Sequence, residues 1–528
     1  MRSLGDRTVD LLVIGGGIIG TGIARDAARR GLSVALVEQA DLGSGTSSRP
    51  TRLIHGGLRY LELFDFGLVR SDMKERETLL RIAPHLVFPL AFLLPLYRPS
   101  LVYRVKLRVG MLLYDLLSLD KTLPKRRWLG RAAALATEPD LNADGLAGAW
   151  RFYDAQVPLV ERLVVENALD AAAHGALVLN HARVTGYLRD GDRVTGARIT
   201  DTVTGADIAV RARYTVNATG AWLDETIAPL RGAAAKPLLR LTKGIHLVTP
   251  RATEQAHVLF AKRDGRLFFV VPWRGYTIVG TTDTDYDTDP AAADATADDV
   301  RYLQAEAHAA FPHALFDVIH FTWAGIRALV RVDGVAEGEV SRKHALYDHE
   351  RRDNVAGVLS VIGGKITAYR AIAEEVTDHV ARAVGSSTRG DTARAPLPGG
   401  GAPVAGRAGA LGLSAPVQEN LTAVYGSLAS AVLDLVAADP SLGVPLCPHE
   451  PTIAAELAYV VRHEWAVTLG DALLRRTGLG LRACQALDCI GAIADRMSTL
   501  LGWDGARRDA EIDAYRRELA PMRAFTAG

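Results

Sequence analysis

The glycine-rich turn Gly15–Gly20 constrains the fold of this chain more than any other feature of the sequence. Residues 9–14 (VDLLVI) are apolar and run into the turn, and residues 18–30 have helical spacing. Residues 33–38 (SVALVE) form a second apolar run, which ends in Glu38. A strand, a G-x-G-x-x-G turn, a helix and a second strand with an acidic end make the β-α-β unit that binds a dinucleotide. The predicted fold class is therefore α/β, with a Rossmann-like parallel sheet.

Each residue of this unit has a physical role in dinucleotide binding. Gly15 permits the tight turn, Gly17 lets the backbone approach a pyrophosphate, and Gly20 lets the helix pack closely on the strand. The helix N-terminus offers unpaired N–H groups to the phosphates. Glu38 would accept hydrogen bonds from the adenosine ribose hydroxyls. The alternative is a glycine turn in a parallel sheet that binds nothing.

The choice of dinucleotide depends on segments far along the chain. Glu38 disfavours the 2′-phosphate of NADP but suits both NAD and FAD. A predicted strand at 206–218 ends in Ala218-Thr219-Gly220, and another at 355–362 runs into Gly363-Gly364-Lys365 and a helix. That helix start and Lys365 could face the flavin N1/O2 edge, where negative charge develops on reduction. These features favour FAD, although Gly363-Gly364 alone could be an ordinary strand-to-helix turn.

Composition excludes several other classes of protein. A length of 528 residues predicts two or three domains. The net charge of +1 gives no global basic surface, so nucleic acid is not an expected partner. Three cysteines are too few for a disulfide framework or a four-ligand zinc site, which predicts a reducing compartment and no metal. We identify neither a signal peptide nor a run of about 18–20 apolar residues that would span a membrane.

Six motifs together carry a family resemblance. They are Gly15–Gly20, Thr46-Ser47-Ser48, Leu53-Ile54-His55-Gly56-Gly57-Leu58-Arg59-Tyr60, Gly280-Thr281-Thr282-Asp283, Gly325-Ile326-Arg327 and Ile362-Gly363-Gly364-Lys365-Ile366-Thr367. In this combination the chain resembles the FAD-dependent glycerol-3-phosphate dehydrogenases, from about residue 8 to 385 and again over 451–480. The run around His55 is highly specific, whereas the glycine turn alone is not.

The resemblance implies a glutathione-reductase-type FAD-binding domain, a substrate-capping domain with a mixed or antiparallel sheet, and a helical C-terminal domain. The segment 386–416 is dense in Gly, Ala, Pro and Arg and is predicted to be a linker. The expected boundaries are 1–80, 150–230 and 325–385 for the FAD-binding domain, 81–149 and 231–324 for the capping domain, and 417–528 for the helical domain.

The activity implied by the resemblance is oxidation of sn-glycerol 3-phosphate to dihydroxyacetone phosphate, with hydride transfer to FAD N5. Electrons would then pass to a quinone. The resemblance also implies a homodimer, which is cytoplasmic or peripheral on the inner face of the cytoplasmic membrane. A glycerol-phosphate oxidase using oxygen, or an amino-acid or 2-hydroxyacid oxidoreductase of the same fold, stays open. An NAD-dependent dehydrogenase or a non-catalytic nucleotide-binding scaffold is the alternative from another class.

A phosphorylated alcohol needs guanidinium groups for its phosphate and a group that takes the hydroxyl proton. His55 and Arg327 are the predicted catalytic residues, and His246 is the rival of His55 for the role of base. A further alternative is that His55 packs against the flavin with its hydrogen bond satisfied. The predicted substrate-binding residues are Arg59, Tyr60, His246, Thr281, Arg327 and Arg342. The predicted cofactor contacts are Gly15, Gly17, Gly20, Glu38, Thr46, Ser47, Ser48, His55, Gly57, Ala218, Gly220, Gly364 and Lys365.

Residues 86–117 could contact a membrane surface. They combine apolar residues with Arg98, Arg104, Lys106 and Arg108. The prediction is a helix lying on an anionic bilayer. The alternative is a core segment of the capping domain with a solvated basic face.

Overall fold

The computed structural model describes residues 8–57, 65–118, 122–232, 235–332, 343–402 and 406–526. In these residues strands β1–β20 are, in chain order, Thr8–Ile14, Val34–Val37, Leu53–Ile54, Phe88–Tyr97, Arg127–Gly130, Leu146–Gln156, Leu177–Leu179, Ala182–Asp190, Arg193–Asp201, Asp207–Asn217, Leu239–Pro250, Ala256–Phe260, Leu267–Trp273, Tyr276–Gly280, Thr284–Asp285, Phe321–Val330, Ala345–Asp348, Val358–Ile362, Pro445–Cys447 and Glu450–Ile453. Helices α1–α15 are Ile18–Arg29, Phe66–Ile82, Leu101–Leu116, Arg131–Thr137, Val160–Ala173, Leu223–Arg231, Ala297–Ala310, His349–Asp353, Tyr369–Val384, Arg407–Ala410, Ala415–Tyr425, Ala429–Ala438, Ala454–His463, Ile490–Leu501 and Gly505–Arg523.

The first sheet has a parallel centre. Its strand order is β17-β18-β10-β1-β2-β7, and the pairs among β18, β10, β1, β2 and β7 are parallel. Residues 11–14 of β1 and all of β2 are apolar and buried, as expected for parallel strands that are covered on both faces. Helix α1 contacts both α5 and α9 on one face. The sequence prediction of a Rossmann-like α/β fold is confirmed.

The second sheet has ten strands among the described residues and is mixed. Its path is β15-β11-β14-β13-β12-β4-β6-β3, with β16 beside β11 and β5 beside β6. Most pairs are antiparallel, whereas β12 and β4 are parallel. Strands β6 and β16 extend across the predicted boundaries at residues 150 and 325. Both strands pair within this second sheet, the capping sheet, along their whole length. The chain therefore leaves the capping sheet for the first sheet at about residues 157 and 331.

Residues 86–117 do not form one helix, which corrects that part of the sequence prediction. Phe88–Tyr97 is strand β4, paired along its length with β6, and Leu101–Leu116 is helix α3. Pro89 and Pro95 lie in the first half, and proline disrupts a helix interior. Ser100 begins the helix by accepting a hydrogen bond from the Tyr103 N–H.

The segment predicted to be a linker is tied to the first sheet domain. Asp391 accepts hydrogen bonds from Arg29, and the Thr392 hydroxyl donates to Asp26 at 2.8 Å. Arg370 also donates to Thr392. Residues 386–402 are therefore an ordered strap that crosses the outer side of α1 and α9.

The C-terminal domain is mainly helical and has its own apolar core. One stretch of it, Ala415–Ala438, is long and apolar enough to cross a membrane by length and composition alone. The chain turns at Gly426 between α11 and α12, and Leu421 and Leu433 are buried in the helical core. The stretch therefore packs as core helices of a folded domain do.

Buried charges join the helical domain to the first sheet. Asp41, four residues after β2, accepts hydrogen bonds from Arg475 and Arg476 at 2.6–2.8 Å. His181 lies 2.9 Å from Asp471 of the same helical turn. Asp41, His181 and Asp471 are close enough together to hold a metal ion. The two guanidinium groups already satisfy Asp41, however, so the cluster is best described as an interdomain ion network.

Candidate active site

The carboxyl ends of four parallel strands open into one cavity of about 620 Å³. Gly15 follows β1, Glu38 follows β2, Ala218 follows β10 and Gly363 follows β18, and all four residues line the cavity. Such crevices beyond the strand ends are where open α/β sheets bind ligands. The capping sheet closes the other side of the cavity through β11 and β16.

The glycine turn fits a pyrophosphate. Gly15 has a φ of +108°, and a Cβ there would lie 2.6 Å from the Ala218 carbonyl oxygen. A Cβ at Gly20 would lie 1.8 Å from the Gly15 oxygen, so both positions require glycine. Gly17 is the N-cap of α1 and lines the cavity, which leaves the helix N-terminus open toward it. Gly20 itself is packed behind the turn, away from the cavity lining.

Glu38 is held beside this turn by two backbone groups. Its carboxylate accepts hydrogen bonds from the Gly16 N–H at 2.7 Å and the Ala40 N–H at 2.9 Å. Burial raises the pKa of Glu38, and these two bonds work against that rise. A carboxylate has about four acceptor positions, so capacity for ribose hydroxyls is left.

The Thr46-Ser47-Ser48 turn bonds both to helix α1 on one side of the cavity and to strand β16 of the capping sheet on the other. The Ser47 hydroxyl accepts from the Ile18 N–H at 3.0 Å, at the first residue of α1. The Thr46 hydroxyl donates to the Ile326 oxygen of β16 at 2.7 Å. Thr46 and Ser47 line the cavity, whereas the Ser48 hydroxyl bonds the Gly43 oxygen and Ser48 is not in the lining.

The segment after β18 supplies another wall. Gly363 and Gly364 have φ values of +70° and +111°, and the chain then runs through a short turn into α9. Lys365 lines the cavity, and its Nζ lies 2.7 Å from Asp72. The Thr367 hydroxyl bonds the backbone N–H of His55, which fixes His55 at the same wall. Gly57 and Gly220 also line the cavity.

Arg327 projects from β16 into the capping side of the cavity. Its guanidinium donates to the Asp283 carboxylate at 2.9 Å, the Thr281 hydroxyl at 2.9 Å and the Thr282 oxygen at 3.0 Å. Gly244 of β11 leaves room for it, because a Cβ there would lie 2.1 Å from Arg327 Nη2. The structure thus brings together Arg327 and Thr281, two of the predicted substrate-binding residues, at the cavity wall.

His246 also lines the cavity. Its Nε2 is 2.8 Å from the Thr51 hydroxyl, and its ring packs against Trp323. Among the described residues its buried Nδ1 has no hydrogen-bond partner. Burial, aided by the charges of Arg327 and Arg52, lowers the pKa of His246 to about 3. His246 is therefore neutral across the physiological pH range.

Three predicted substrate residues, Arg59, Tyr60 and Arg342, lie outside the described residues. Sequence reasoning also missed several charged residues of the cavity wall, among them Arg49 and Glu518. Arg49 donates to the Ala324 oxygen at 3.3 Å, and burial lowers the pKa of its guanidinium. The sequence signal that could have identified Arg49 is its position within a Ser/Thr-rich loop. No sequence signal could have identified Glu518, because α15 is brought to the cavity only by the packing of the helical domain.

Known protein families match nearly the whole chain. The FAD dependent oxidoreductase family matches residues 10–378, and the C-terminal domain of alpha-glycerophosphate oxidase matches residues 390–508. The glycerol-3-phosphate dehydrogenase of Synechocystis sp. is 37% identical, over 96% of this chain and 95% of the relative. The aerobic glycerol-3-phosphate dehydrogenase of Staphylococcus haemolyticus is 32% identical, over 96% and 94% of the two chains.

Solved structures agree with these matches. The glycerol-3-phosphate dehydrogenase from Bacillus halodurans, complexed with FAD, superposes with a TM-score of 0.80 at 29% identity, over 98% of this chain and 96% of that one. The L-alpha-glycerophosphate oxidase from Mycoplasma pneumoniae, with FAD bound, gives a TM-score of 0.55 at 18% identity, over 74% and 99% of the two chains, and shares the fold.

Proposed function

The chain belongs to the FAD-dependent glycerol-3-phosphate dehydrogenase family, with FAD as its cofactor, and on that premise we propose that it oxidises sn-glycerol 3-phosphate to dihydroxyacetone phosphate. The observation that carries the proposal is a single cavity with two chemically distinct ends. One end has the glycine turn, the start of α1 and Glu38, which suit a dinucleotide. The other end has Arg327 and Thr281, which suit a phosphorylated alcohol.

The proposed roles follow from the groups that face the cavity. Bound FAD supplies the hydride acceptor. Arg327 binds and orients the substrate, with its guanidinium pre-set by Asp283 and Thr281. Arg59, Tyr60 and Arg342 stay in the proposal as substrate residues on the family resemblance.

We assign the proton-accepting role to His55 rather than to His246. A pKa near 3 makes His246 a weak base, so it serves better as a neutral hydrogen-bond partner. His55 is anchored by Thr367, and its ring lies 6.0 Å from that of Phe269 in the cavity wall. His55→Gln should slow flavin reduction by about 100-fold in stopped-flow mixing with substrate. His246→Gln is the matched comparison, and an unchanged rate in His55→Gln would rule out the base role.

The substrate assignment is tested by anaerobic titration. Glycerol 3-phosphate should bleach the flavin absorbance, whereas glycerol, lactate and glycine at the same concentration should not. Bleaching by lactate or glycine alone would favour a 2-hydroxyacid or amino-acid oxidoreductase of the same fold. A preparation without flavin absorbance, active with NAD, would contradict the whole proposal.

The electron acceptor in the proposal is a quinone. The match to a glycerophosphate oxidase C-terminal domain makes oxygen the second candidate. Turnover in air is expected to release little hydrogen peroxide and to reduce a soluble quinone analogue rapidly. Stoichiometric peroxide without quinone reduction would favour the oxidase.

Helix α3 supports a proposal of membrane-surface contact. Six apolar residues on it are exposed, and a rotation of about 100° per residue puts them within one narrow arc. They are Leu101, Val102, Val105, Val109, Leu112 and Leu116. Arg104 and Arg108 border one side of the arc and Lys106 lies on the other. Apolar side chains with a basic border suit an anionic bilayer.

Vesicle co-sedimentation tests this surface. The protein should bind phosphatidylglycerol-containing vesicles at low salt, and a Val105→Glu/Val109→Glu variant should lose most of that binding. Val203→Glu, at an exposed valine of the β9–β10 turn, is the control. Equal binding of all three proteins would exclude α3. The location on the inner membrane face and the homodimer also remain proposals, and light scattering tests the dimer.

A further inference from the structure

Lys365 is paired with a carboxylate that comes from outside the cavity. Its Nζ lies 2.7 Å from Asp72 Oδ2, in helix α2. The Asp72 side chain is completely buried, and that of Lys365 is 15% exposed. Lys365 lines the cavity and Asp72 does not. The cavity therefore faces an ammonium group that has a negative charge directly behind it.

Apart from this contact, the buried Asp72 carboxylate has little to stabilise its charge. Its other oxygen, Oδ1, has no hydrogen-bond partner among the described residues. Burial raises the pKa of Asp72 to about 6, while Lys365 opposes the rise. A buried carboxylate is costly unless it is paired, so the position of Asp72 makes sense as a partner for Lys365.

Helix α2 carries a second buried ion pair, Glu75 with Arg370, which differs from the Asp72–Lys365 pair in its position relative to the cavity. Glu75, one turn further along α2, holds Arg370 through two hydrogen bonds of 2.7 Å. Arg370 lies at the start of α9, five residues after Lys365, and neither Glu75 nor Arg370 lines the cavity. The two pairs anchor the same segment of chain, but the Asp72 pair alone places charge at the cavity wall.

We propose that Asp72 acts through Lys365 and offsets part of the charge of its ammonium group where Lys365 lines the cavity. The inference rests on the proposed placement of Lys365 at the flavin N1/O2 edge. A positive charge there stabilises the negative charge that reduction brings. A carboxylate directly behind the ammonium weakens that effect, so Asp72 keeps the reduction potential of the bound FAD lower than Lys365 alone would.

Asp72→Asn in the holoenzyme tests the inference by two readouts besides activity. The midpoint potential of bound FAD should become more positive. Sulfite, an anion that binds oxidised flavin at N5, should bind about tenfold more tightly, because a carboxylate would no longer offset the attraction of the ammonium group for the anion. Asp72→Ala should shift both quantities in the same direction. Glu75→Gln, which breaks the other buried pair, should leave both unchanged.

Lys365→Met separates the failure of the inference from that of its premise. It should shift the potential and the sulfite affinity in the opposite direction. No shift in Lys365→Met would place Lys365 away from the flavin, although bleaching by glycerol 3-phosphate could still be intact. A shift in Lys365→Met without one in Asp72→Asn would overturn the inference. Loss of FAD from both Asp72 variants, but not from Glu75→Gln, would also overturn it by making Asp72 a purely structural group.

Discussion

Arg327 reaches the cavity because residue 244 has no side chain. The two residues lie on adjacent antiparallel strands, with Gly244 of β11 paired to Gly325 of β16. A Cβ at position 244 would lie 2.1 Å from Arg327 Nη2 and 2.4 Å from the Thr281 hydroxyl. Real Cβ atoms do not approach so closely, so the guanidinium would have to move.

Gly244→Ala is therefore expected to displace Arg327 from Thr281 and Asp283. The KM for glycerol 3-phosphate should rise at least about tenfold, the size of one lost charge-assisted hydrogen bond, while FAD content stays normal. Gly186→Ala is the control, since nothing lies within 4 Å of a Cβ at that strand glycine. Steady-state kinetics with both variants decides, and an unchanged KM in Gly244→Ala would argue against Arg327 as a substrate ligand.

At the scale of elements, the strands of the capping sheet bury a histidine away from the cavity. His257 of β12 is completely buried, and its ring meets that of Phe311 edge-on at 4.9 Å. Its Nε2 has no hydrogen-bond partner among the described residues. Burial lowers the pKa of His257 to about 3. Burial therefore favours the neutral imidazole in the folded protein, with the Glu138 carboxylate 3.7 Å from Nε2 as the nearest opposite charge.

This pKa predicts acid sensitivity of the capping domain. Below its unfolded pKa of about 6.5, His257 binds a proton in the unfolded chain but not in the folded one, so stability falls as the pH drops toward 3. The slope from this one group is up to about 1.4 kcal/mol per pH unit. The melting temperature of His257→Leu should therefore fall less than that of the parent protein when the pH is lowered from 7.5 to 5.5. The exposed His313→Gln serves as control, and equal losses in all three proteins would contradict the prediction.

At the scale of the whole molecule, the helical domain is held on the FAD-binding domain by buried charge. Asp41 and Arg476 are both fully buried, and Arg475 shares the same carboxylate. Asp41 lies three residues after Glu38, so the same loop contacts the dinucleotide end of the cavity and the helical domain. Arg475 also pairs with Glu518, which lines the cavity.

Asp41→Asn should leave the buried Arg476 guanidinium without its carboxylate and should remove one of the three carboxylates that pair with Arg475. The expected loss is about 3–5 kcal/mol of unfolding free energy, as for other broken buried pairs. Thermal unfolding of the holoenzyme, with release of FAD fluorescence, measures it. Asp144→Asn breaks an exposed pair with Arg98 and should cost less than about 1 kcal/mol. Similar losses in the two variants would mean that the Asp41 network does not join the domains.

The sequence by itself determined the local units of this protein. Gly15–Gly20, Glu38 and the apolar runs around them specify a β-α-β unit because backbone freedom, strand burial and helix spacing are local properties. The family motifs likewise identified FAD and the class of enzyme. Only the tertiary structure decided what packs across long separations in the chain. It gave the pairing of β6 and β16 with the capping sheet, Asp283 behind Arg327, Asp72 behind Lys365 and Glu518 at the cavity. These contacts depend on strand register and domain packing, which sum weak interactions over hundreds of residues and leave no local pattern.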